Sequence, residues 1–332
     1  MKIPKTFATV LVLAMMVSLA AAAPVGELNV PIKEYEVPTP HSRPHDPAVA
    51  PDGSLWYTGQ GVNKLGRLDP KTGEIKEYPL KTEDSGPHGL VADAQGNIWF
   101  TANYKGYVGK LDPKSGSVTE YKMPDPRARD PHTPVFDQHG NLWFTVEGGN
   151  FIGRLDPKTG EVKLKQVPTP NAVPYGIVVS SKGVPFFCEF GTNKLASINP
   201  ETMEITEYTL PAGAHPRRLA ITKDDVIYYT DYARGFLGRF DTKTGKLNEW
   251  ASPGGSASKP YGIAIAPEGI VWYSESGVNP NTLVRFDPST HFFARETIPS
   301  GGGVVRNMVA TPDGNLYLAC SGVNKVAVVE TR

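Results

Sequence analysis

Beyond the first 23 residues, hydrophobic positions in this chain fall in short runs broken by turn residues, without the length of a helix. The unit starting at His45 shows the pattern: His45 to Ala50, the turn Pro51-Asp52-Gly53, the run Leu55-Trp56-Tyr57-Thr58, then Asn63 to Asp69. A second turn, Pro70-Lys71-Thr72-Gly73, leads into Glu74 to Pro79. Asp-Gly and Pro-x-x-Gly sequences supply the positive and preset φ angles of tight hairpins, and the runs are rich in β-branched and aromatic residues. The pattern predicts four short antiparallel strands.

The unit recurs. A proline followed by one variable residue appears at Pro44-His45, Pro87-His88, Pro131-His132, Pro174-Tyr175, Pro216-Arg217 and Pro260-Tyr261, with Val305-Arg306 in the seventh place, at intervals of 42 to 45 residues. An aromatic recurs at Trp56, Trp99, Trp143, Phe186, Tyr228, Trp272 and Tyr317, and is expected to pack between repeats. Four strands at a period near 43 residues predict an all-β, seven-bladed β-propeller with four-stranded blades. The seventh repeat stops after its third strand, Val326 to Glu330, while Lys33-Glu34-Tyr35 matches fourth-strand sequences such as Lys76-Glu77-Tyr78 and Thr206-Glu207-Tyr208. The N-terminal strand is therefore expected to join the last blade and close the ring, making residues 24–332 one domain.

Ahead of that domain, Lys2 and Lys5 precede an apolar run from Phe7 to Ala20 and small residues through Ala23, so residues 1–23 read as an export signal cleaved near Ala22, with an uncleaved anchor as the alternative. A periplasmic or secreted protein is expected, with no membrane partner after cleavage. Lys and Arg total 34 and Asp and Glu total 34, without a basic run, which argues against nucleic acid as a partner. Cys188 and Cys320 are expected to end the second strands of blades four and seven, across the ring from one another and unpaired, as buried or channel-lining thiols, with a reactive Cys320 as the lesser alternative.

In a propeller the first strand of each blade lies nearest the axis, so the variable residue should form a ring at the channel mouth. Its members are His45, His88, His132, Tyr175, Arg217, Tyr261 and Arg306. Acid–base, hydrogen-bonding and anion-binding groups thus converge at one level and offer a site for a small-molecule ligand. A second level, at the ends of the second strands, reads Gly59, Ala102, Val146 with Glu147 beside it, Glu189, Asp231, Glu275 and Cys320. Its carboxylates are suited either to a divalent ion held by oxygen ligands or to an internal ion-pair network.

The units Asn141-Leu142-Trp143-Phe144-Thr145 and Asn63-Lys64-Leu65-Gly66-Arg67-Leu68, with Glu-Tyr strands and Pro-His-Gly starts, resemble the virginiamycin B lyase (streptogramin lyase) family across all seven repeats. The resemblance implies a seven-bladed propeller and magnesium-assisted elimination at the ester of cyclic depsipeptides. It also implies a Pro-His in blade six, a Glu-Pro-His in blade seven and a Glu after the aromatic strand of blade seven. Here those places hold Pro260-Tyr261 and Val304-Val305-Arg306, with no carboxylate between Asp313 and Glu330. A comparable set occurs earlier in the chain: Pro87-His88, Asp130-Pro131-His132, and Glu147 after Trp143-Phe144-Thr145.

Transferred to that set, the resemblance implies that Asp130 and Glu147 hold Mg²⁺ or another divalent cation and that His132 is the general base. His88 would orient the substrate or protonate the leaving carboxylate. Arg217 and Arg306 could bind a substrate carboxylate or phosphate, with His45, Tyr175 and Tyr261 completing the ligand-binding ring. Two functions follow as expectations: a lyase or hydrolase acting on a small ester, lactone or cyclic peptide, with a gluconolactonase-like hydrolase ranked below a lyase, or a non-catalytic binding propeller. A monomer is expected of a closed ring with polar outer strands.

Overall fold

A computed structural model describes residues 25–331. The expected export signal, residues 1–23, lies outside the described residues, among which no helix is long and apolar enough to cross a membrane.

Seven antiparallel sheets follow one another along the chain. Blade one consists of Pro44–Val49, Leu55–Gly59, Lys64–Leu68 and Ile75–Pro79, hydrogen-bonded in that order. The first strands of successive blades pack against each other all the way round, the seventh against the first, so they line the axis. As expected, Ile32–Glu36 pairs antiparallel with Lys325–Val329 and supplies the outer strand of blade seven. One strand was not foreseen. Val25–Glu27 adds parallel to Phe293–Arg295 on the outside of blade six, making that sheet five-stranded.

The recurring aromatics do pack between blades. Trp56 of blade one contacts a cluster containing Ile98 and Phe100 of blade two, and Trp143 of blade three sits with Ile177 and Phe187 of blade four. Trp56, Trp99, Trp143 and Trp272 are each at most 2% exposed, and burial of such a side chain contributes on the order of 2–3 kcal/mol. Three of the four indoles are paired: Trp99 and Trp143 donate at 2.9 Å to Asp93 and Asp137, the Asp of each blade's hairpin turn, and Trp56 donates to Ser54 at 3.0 Å, whereas the Trp272 N–H is buried without a partner.

Two features aim the ring residues. In every blade the pairing of the first strand with the second slips just after the proline, or after Val305 in blade seven, between Pro131 and Pro134 in blade three for example, and such a bulge re-aims the side chains it contains. A buried hydroxyl then locks the bulge to the next blade. Thr58 accepts from the Asp46 N–H of its own blade at 3.0 Å and donates to the His88 carbonyl of the following blade at 2.8 Å. Thr101, Thr145, Thr230 and Ser274 repeat the arrangement. In blade four the same position holds Cys188, which lies one residue short of the strand end where the sequence reading put it.

Candidate functional site

Because the bulge and the hydroxyl fix the backbone, the residue after each proline turns toward the axis. His45, His88, His132, Tyr175 and Tyr261 are all buried, each 4% exposed or less, while Arg217 and Arg306 are partly exposed. Four of the rings form a continuous stack around one side of the channel. His45 and His88 lie 3.6 Å apart between ring centres, His88 and His132 3.8 Å, and His132 and Tyr175 3.8 Å. The Tyr175 and Tyr261 hydroxyls then meet in a short hydrogen bond. The sequence-derived ring is thus one structure in space.

Its electrostatics divide it. Burial, reinforced by nearby guanidinium groups, holds the His45 imidazole well below its ordinary pKa, so it is neutral at pH 7. His88 and His132 are depressed in the same way, by burial first and then by neighbouring histidines and arginines. The Nδ1 of His88 is buried with no hydrogen-bond partner. Arg217, in contrast, is enclosed by aromatic faces: its guanidinium carbon lies 3.8 Å from the ring centre of Tyr261, 4.4 Å from Tyr232, 4.8 Å from Phe190 and 5.0 Å from Tyr175.

The axis itself is bridged by residues that the sequence reading did not single out. Arg218 of blade five pairs in fork fashion with Asp46 of blade one, at 2.7 and 3.2 Å, and also donates to the Thr133 hydroxyl of blade three at 3.1 Å. Both ends of the pair are buried, and Asp46 additionally accepts from His45 Nδ1 at 2.9 Å. The signal was one position further along each repeat. The residues there are Asp46, Gly89, Thr133, Gly176, Arg218, Gly262 and Asn307, a lone acid and a lone base among small or neutral residues. Small size is enforced at Gly89, where a Cβ would come within 2.0 Å of the His132 carbonyl oxygen.

Asp130 and Glu147 are brought together on the rim of blade three. The Glu147 N–H donates to the Asp130 carbonyl at 3.0 Å, and the Asp130 carboxylate lies over Gly148, where a Cβ would meet it at 2.1 Å. Glu147 Oε2 stands 3.6 Å from His132 Nε2, beyond hydrogen-bond range but in electrostatic contact. Burial and the Asp130 charge both raise the Glu147 carboxyl, and burial raises Asp130. Two adjacent carboxylates that each resist ionisation are a donor set that a hard cation would relieve, and Mg²⁺ commonly uses one or two carboxylates while keeping water or substrate on its other positions. Asp130 and Glu147 offer carboxylate oxygens, the ligand type such a cation takes, but among the described residues they belong to no group of three ligating side chains within 4.8 Å of one another.

Among the other acids of the second level Asp231 is ion-paired internally, whereas Glu275 and Glu189 are held by hydroxyl and N–H donors, with Glu189 Oε1 buried without a partner. Asp231 accepts from the His215 N–H at 3.0 Å and pairs with Arg234 at 2.5 Å. Glu275 accepts from Ser252, Gly254 N–H and Thr282 at 2.5 to 2.6 Å. Glu189 accepts from Thr192 at 3.0 Å, and burial together with Glu207 pushes it up to about 7. Among the described residues, His45, Asp46 and His88 form the one group of three ligating side chains within 4.8 Å of each other. The Arg218 charge and the filled lone pairs of Asp46 oppose a cation there. Cys188 and Cys320 are free and buried, and burial raises both thiols well above their ordinary range, so neither is an activated nucleophile.

A concavity of about 850 Å³ opens beside Arg129, Asp130 and Gly148, and another of about 860 Å³ opens elsewhere, among Ile221, Thr222, Lys223, Ile265, Ala266 and Ala310 near the turns that follow the first strands. The latter contains no histidine and no pair of adjacent acids, and the chemistry lies at the mouth carrying the ring.

Comparison with known proteins agrees with this geometry at the level of the fold. No curated protein sequence matches the chain. A streptogramin B lyase structure superposes with a TM-score of 0.84 at 26% identity, over 91% of this chain and 98% of that one. A virginiamycin B lyase from Staphylococcus aureus gives 0.83 at 23% identity, over 91% and 99%. Hydrazine synthase from Kuenenia stuttgartiensis, at 16% identity and 0.75 over 89% and 97%, shares the fold alone. The sequence model of the Virginiamycin B lyase family matches residues 20–197 and, overlapping them, 166–332. With matches that run through all seven blades, and with the blade-locking hydroxyls and aromatic packing built on the repeats that carry them, the chain belongs to the Virginiamycin B lyase family.

Proposed function

We propose that the channel mouth above blades two and three is a lyase site that opens a small ester, lactone or cyclic depsipeptide by C–O elimination. The observation that carries this reading is the contact of His132 Nε2 with Glu147 at 3.6 Å beside Asp130, at the end of a stack of neutral imidazoles. A neutral imidazole has a free lone pair at pH 7, and His132 takes the proton from the carbon next to the substrate carbonyl, although burial, which lowers its pKa, also makes it a weaker base. As that C–H bond breaks, a C=C bond forms and the ester C–O bond cleaves, with the carboxylate leaving. The nearby Glu147 offsets the imidazolium charge that results, which the surrounding arginines would otherwise oppose. Thr133, 2.9 Å from His132 Nδ1, holds the ring in place. His88, stacked on His132, orients the substrate or protonates the leaving group. A Mg²⁺ held by Asp130 and Glu147 would polarise the substrate carbonyl and acidify the adjacent C–H.

A second reading is supported by the places where the family resemblance puts its acid–base groups. Those positions carry Tyr261 and Arg306, so a non-catalytic binding propeller is the alternative. In either case we propose an exported monomer whose partner is a small molecule at this mouth, a reading supported by the apolar N-terminal stretch and the closed ring.

The test has two parts. Divalent-ion calorimetry on wild type, Glu147→Gln and His132→Ala should show binding lost in Glu147→Gln. Cyclic depsipeptides and small esters, assayed by mass spectrometry, should yield an opened product that has not gained water. A product that has gained water means hydrolysis, and no turnover in a wild type that binds ligand leaves the binding reading.

A further inference from the structure

Between blades seven and one the same mouth carries a concavity of about 430 Å³, lined by His41, Arg43, Val304, Arg306, Ser321 and Asn324 together with Gly303 and Gly322. No acidic side chain lines it. Two guanidinium groups therefore face one space without a counter-charge, because among the described residues neither Arg43 nor Arg306 forms an ion pair with any Asp or Glu. The nearest buried acid of the ring, Asp46, is already committed to Arg218 and His45.

Arg306 is oriented for use. Its Nε donates to the Ser321 hydroxyl at 3.1 Å, which fixes the guanidinium plane and leaves both terminal nitrogens without a protein acceptor. A guanidinium held in that way presents two parallel N–H donors, the arrangement that matches the two oxygens of a carboxylate or phosphate. The walls beside it are glycine for a steric reason. A Cβ on Gly303 would meet Gly322 Cα at 2.6 Å, so the two backbones approach closely and no side chain fills the space. Arg43 adds a second, exposed charge at a positive φ of 51°, in the loop that leads into the first strand of blade one.

Arg217, the other arginine of the ring, differs on each point. Its faces are covered by four aromatic rings, one terminal nitrogen donates to the Tyr175 hydroxyl at 3.2 Å, and its Nε is buried without a partner. It is packed as a structural cation, whereas Arg306 is presented to the solvent-filled concavity.

We infer that this concavity is an oxyanion subsite in which Arg306 and Arg43 bind a carboxylate or phosphate group of the ligand, so that the ligand class of this mouth is anionic. The inference rests on reading the mouth as the ligand face, and not on turnover there. A ligand held at this subsite extends along the His45–His88–His132 stack toward Glu147, so one end is recognised by charge and the other meets the acid–base pair.

Isothermal titration of inorganic phosphate, and separately of benzoate, into the full-length protein at low ionic strength tests the assignment. Saturable binding of at least one anion is expected in wild type, weakened about tenfold in Arg306→Gln by loss of one charge-assisted pair and less in Arg43→Gln. Arg217→Gln should change it less than about twofold, a factor worth only a few tenths of a kcal/mol. Whichever of the two anions saturates identifies the group as phosphate or carboxylate. Absence of saturable binding of either anion to wild type overturns the subsite, as does a loss in Arg217→Gln equal to that in Arg306→Gln. Thermal melts confirm that each variant is folded. Glu147→Gln should bind the anion as wild type does, which separates failure of this subsite from failure of the lyase reading.

Discussion

The arc of the channel mouth formed by blades one to three and the arc formed by blades four to seven use the same backbone slot for opposite purposes. In the first arc the slot holds His45, His88 and His132, stacked, buried and neutral, with Glu147 and Asp130 on the rim. In the second it holds Tyr175, Arg217, Tyr261 and Arg306, where permanent cations are either covered by rings or left facing an open concavity. Seven near-identical bulges position all of these side chains, so the difference between the arcs is one of side-chain chemistry and not of backbone geometry. The lesson is that a propeller can keep its fold while the acid–base groups occupy a different part of the ring, because rotation about the axis carries one blade's slot onto the next.

The strongest test of this division is the tie between the arcs. Asp46→Asn leaves Arg218 buried without its charge partner, and urea denaturation should show a loss of about 3–5 kcal/mol, the usual cost of breaking a buried pair from one side. A loss below about 1 kcal/mol would mean that the pair does not hold the two arcs together. His132→Ala should reduce turnover by roughly 10²- to 10⁴-fold with the fold intact, the range typical of a lost general base. Arg217→Gln, in the opposite slot, should lower turnover far less, and equal losses would erase the distinction between the arcs.

Smaller effects sharpen the comparison. Thr145→Val removes the hydroxyl that locks blade three to blade four and strands the Thr133 N–H and the Tyr175 carbonyl, so it should cost about 1–2 kcal/mol by denaturation. The histidine arc should also make stability depend on pH. His45 and His88 face Asp46, His132, Arg43, Arg217, Arg218 and Arg306, and burial depresses both in the folded state. Their contribution is full above the unfolded value of about 6.5 and is lost as pH falls below it, because the unfolded chain then binds the protons that the folded chain refuses. Denaturation midpoints should therefore fall from pH 7 to pH 5, and His88→Phe should flatten that slope. An unchanged slope would show that the stack is not the titrating element. The smallest effect is at Cys188, where Cys188→Thr should restore the missing blade lock and gain up to about 1 kcal/mol.

Much of this was legible in the repeat. Once Pro44, Pro87 and Pro131 are aligned with their later counterparts, the number of blades, the closing strand at Ile32–Glu36 and the membership of the ring all follow, because each depends on local spacing. Val25–Glu27 was not legible, since a three-residue strand carries no period and its partner on blade six is distant in the chain. The Asp46–Arg218 bridge was missed for a related reason: its ends are 172 residues apart, so although they are the lone acid and lone base at their repeat position, spacing alone does not say that they meet. Phe190 and Tyr232, which enclose Arg217, stand at the repeat offset of Glu147, one past the second level, so spacing placed them at the mouth but not against Arg217.

By itself, then, the sequence determined the periodic properties of this protein: strand type, turn chemistry, blade count and the residue that each blade contributes to the mouth. Each of these is set within a single repeat of about 43 residues by alternation and tight-turn preference. Only the tertiary structure decided which of those residues touch. Closing the ring brings blade one against blades five and seven, commits Asp46 to Arg218, and leaves Arg306 facing an open space. Pairings of that kind depend on the rotation of one blade relative to another, a quantity that no local stretch of the chain encodes.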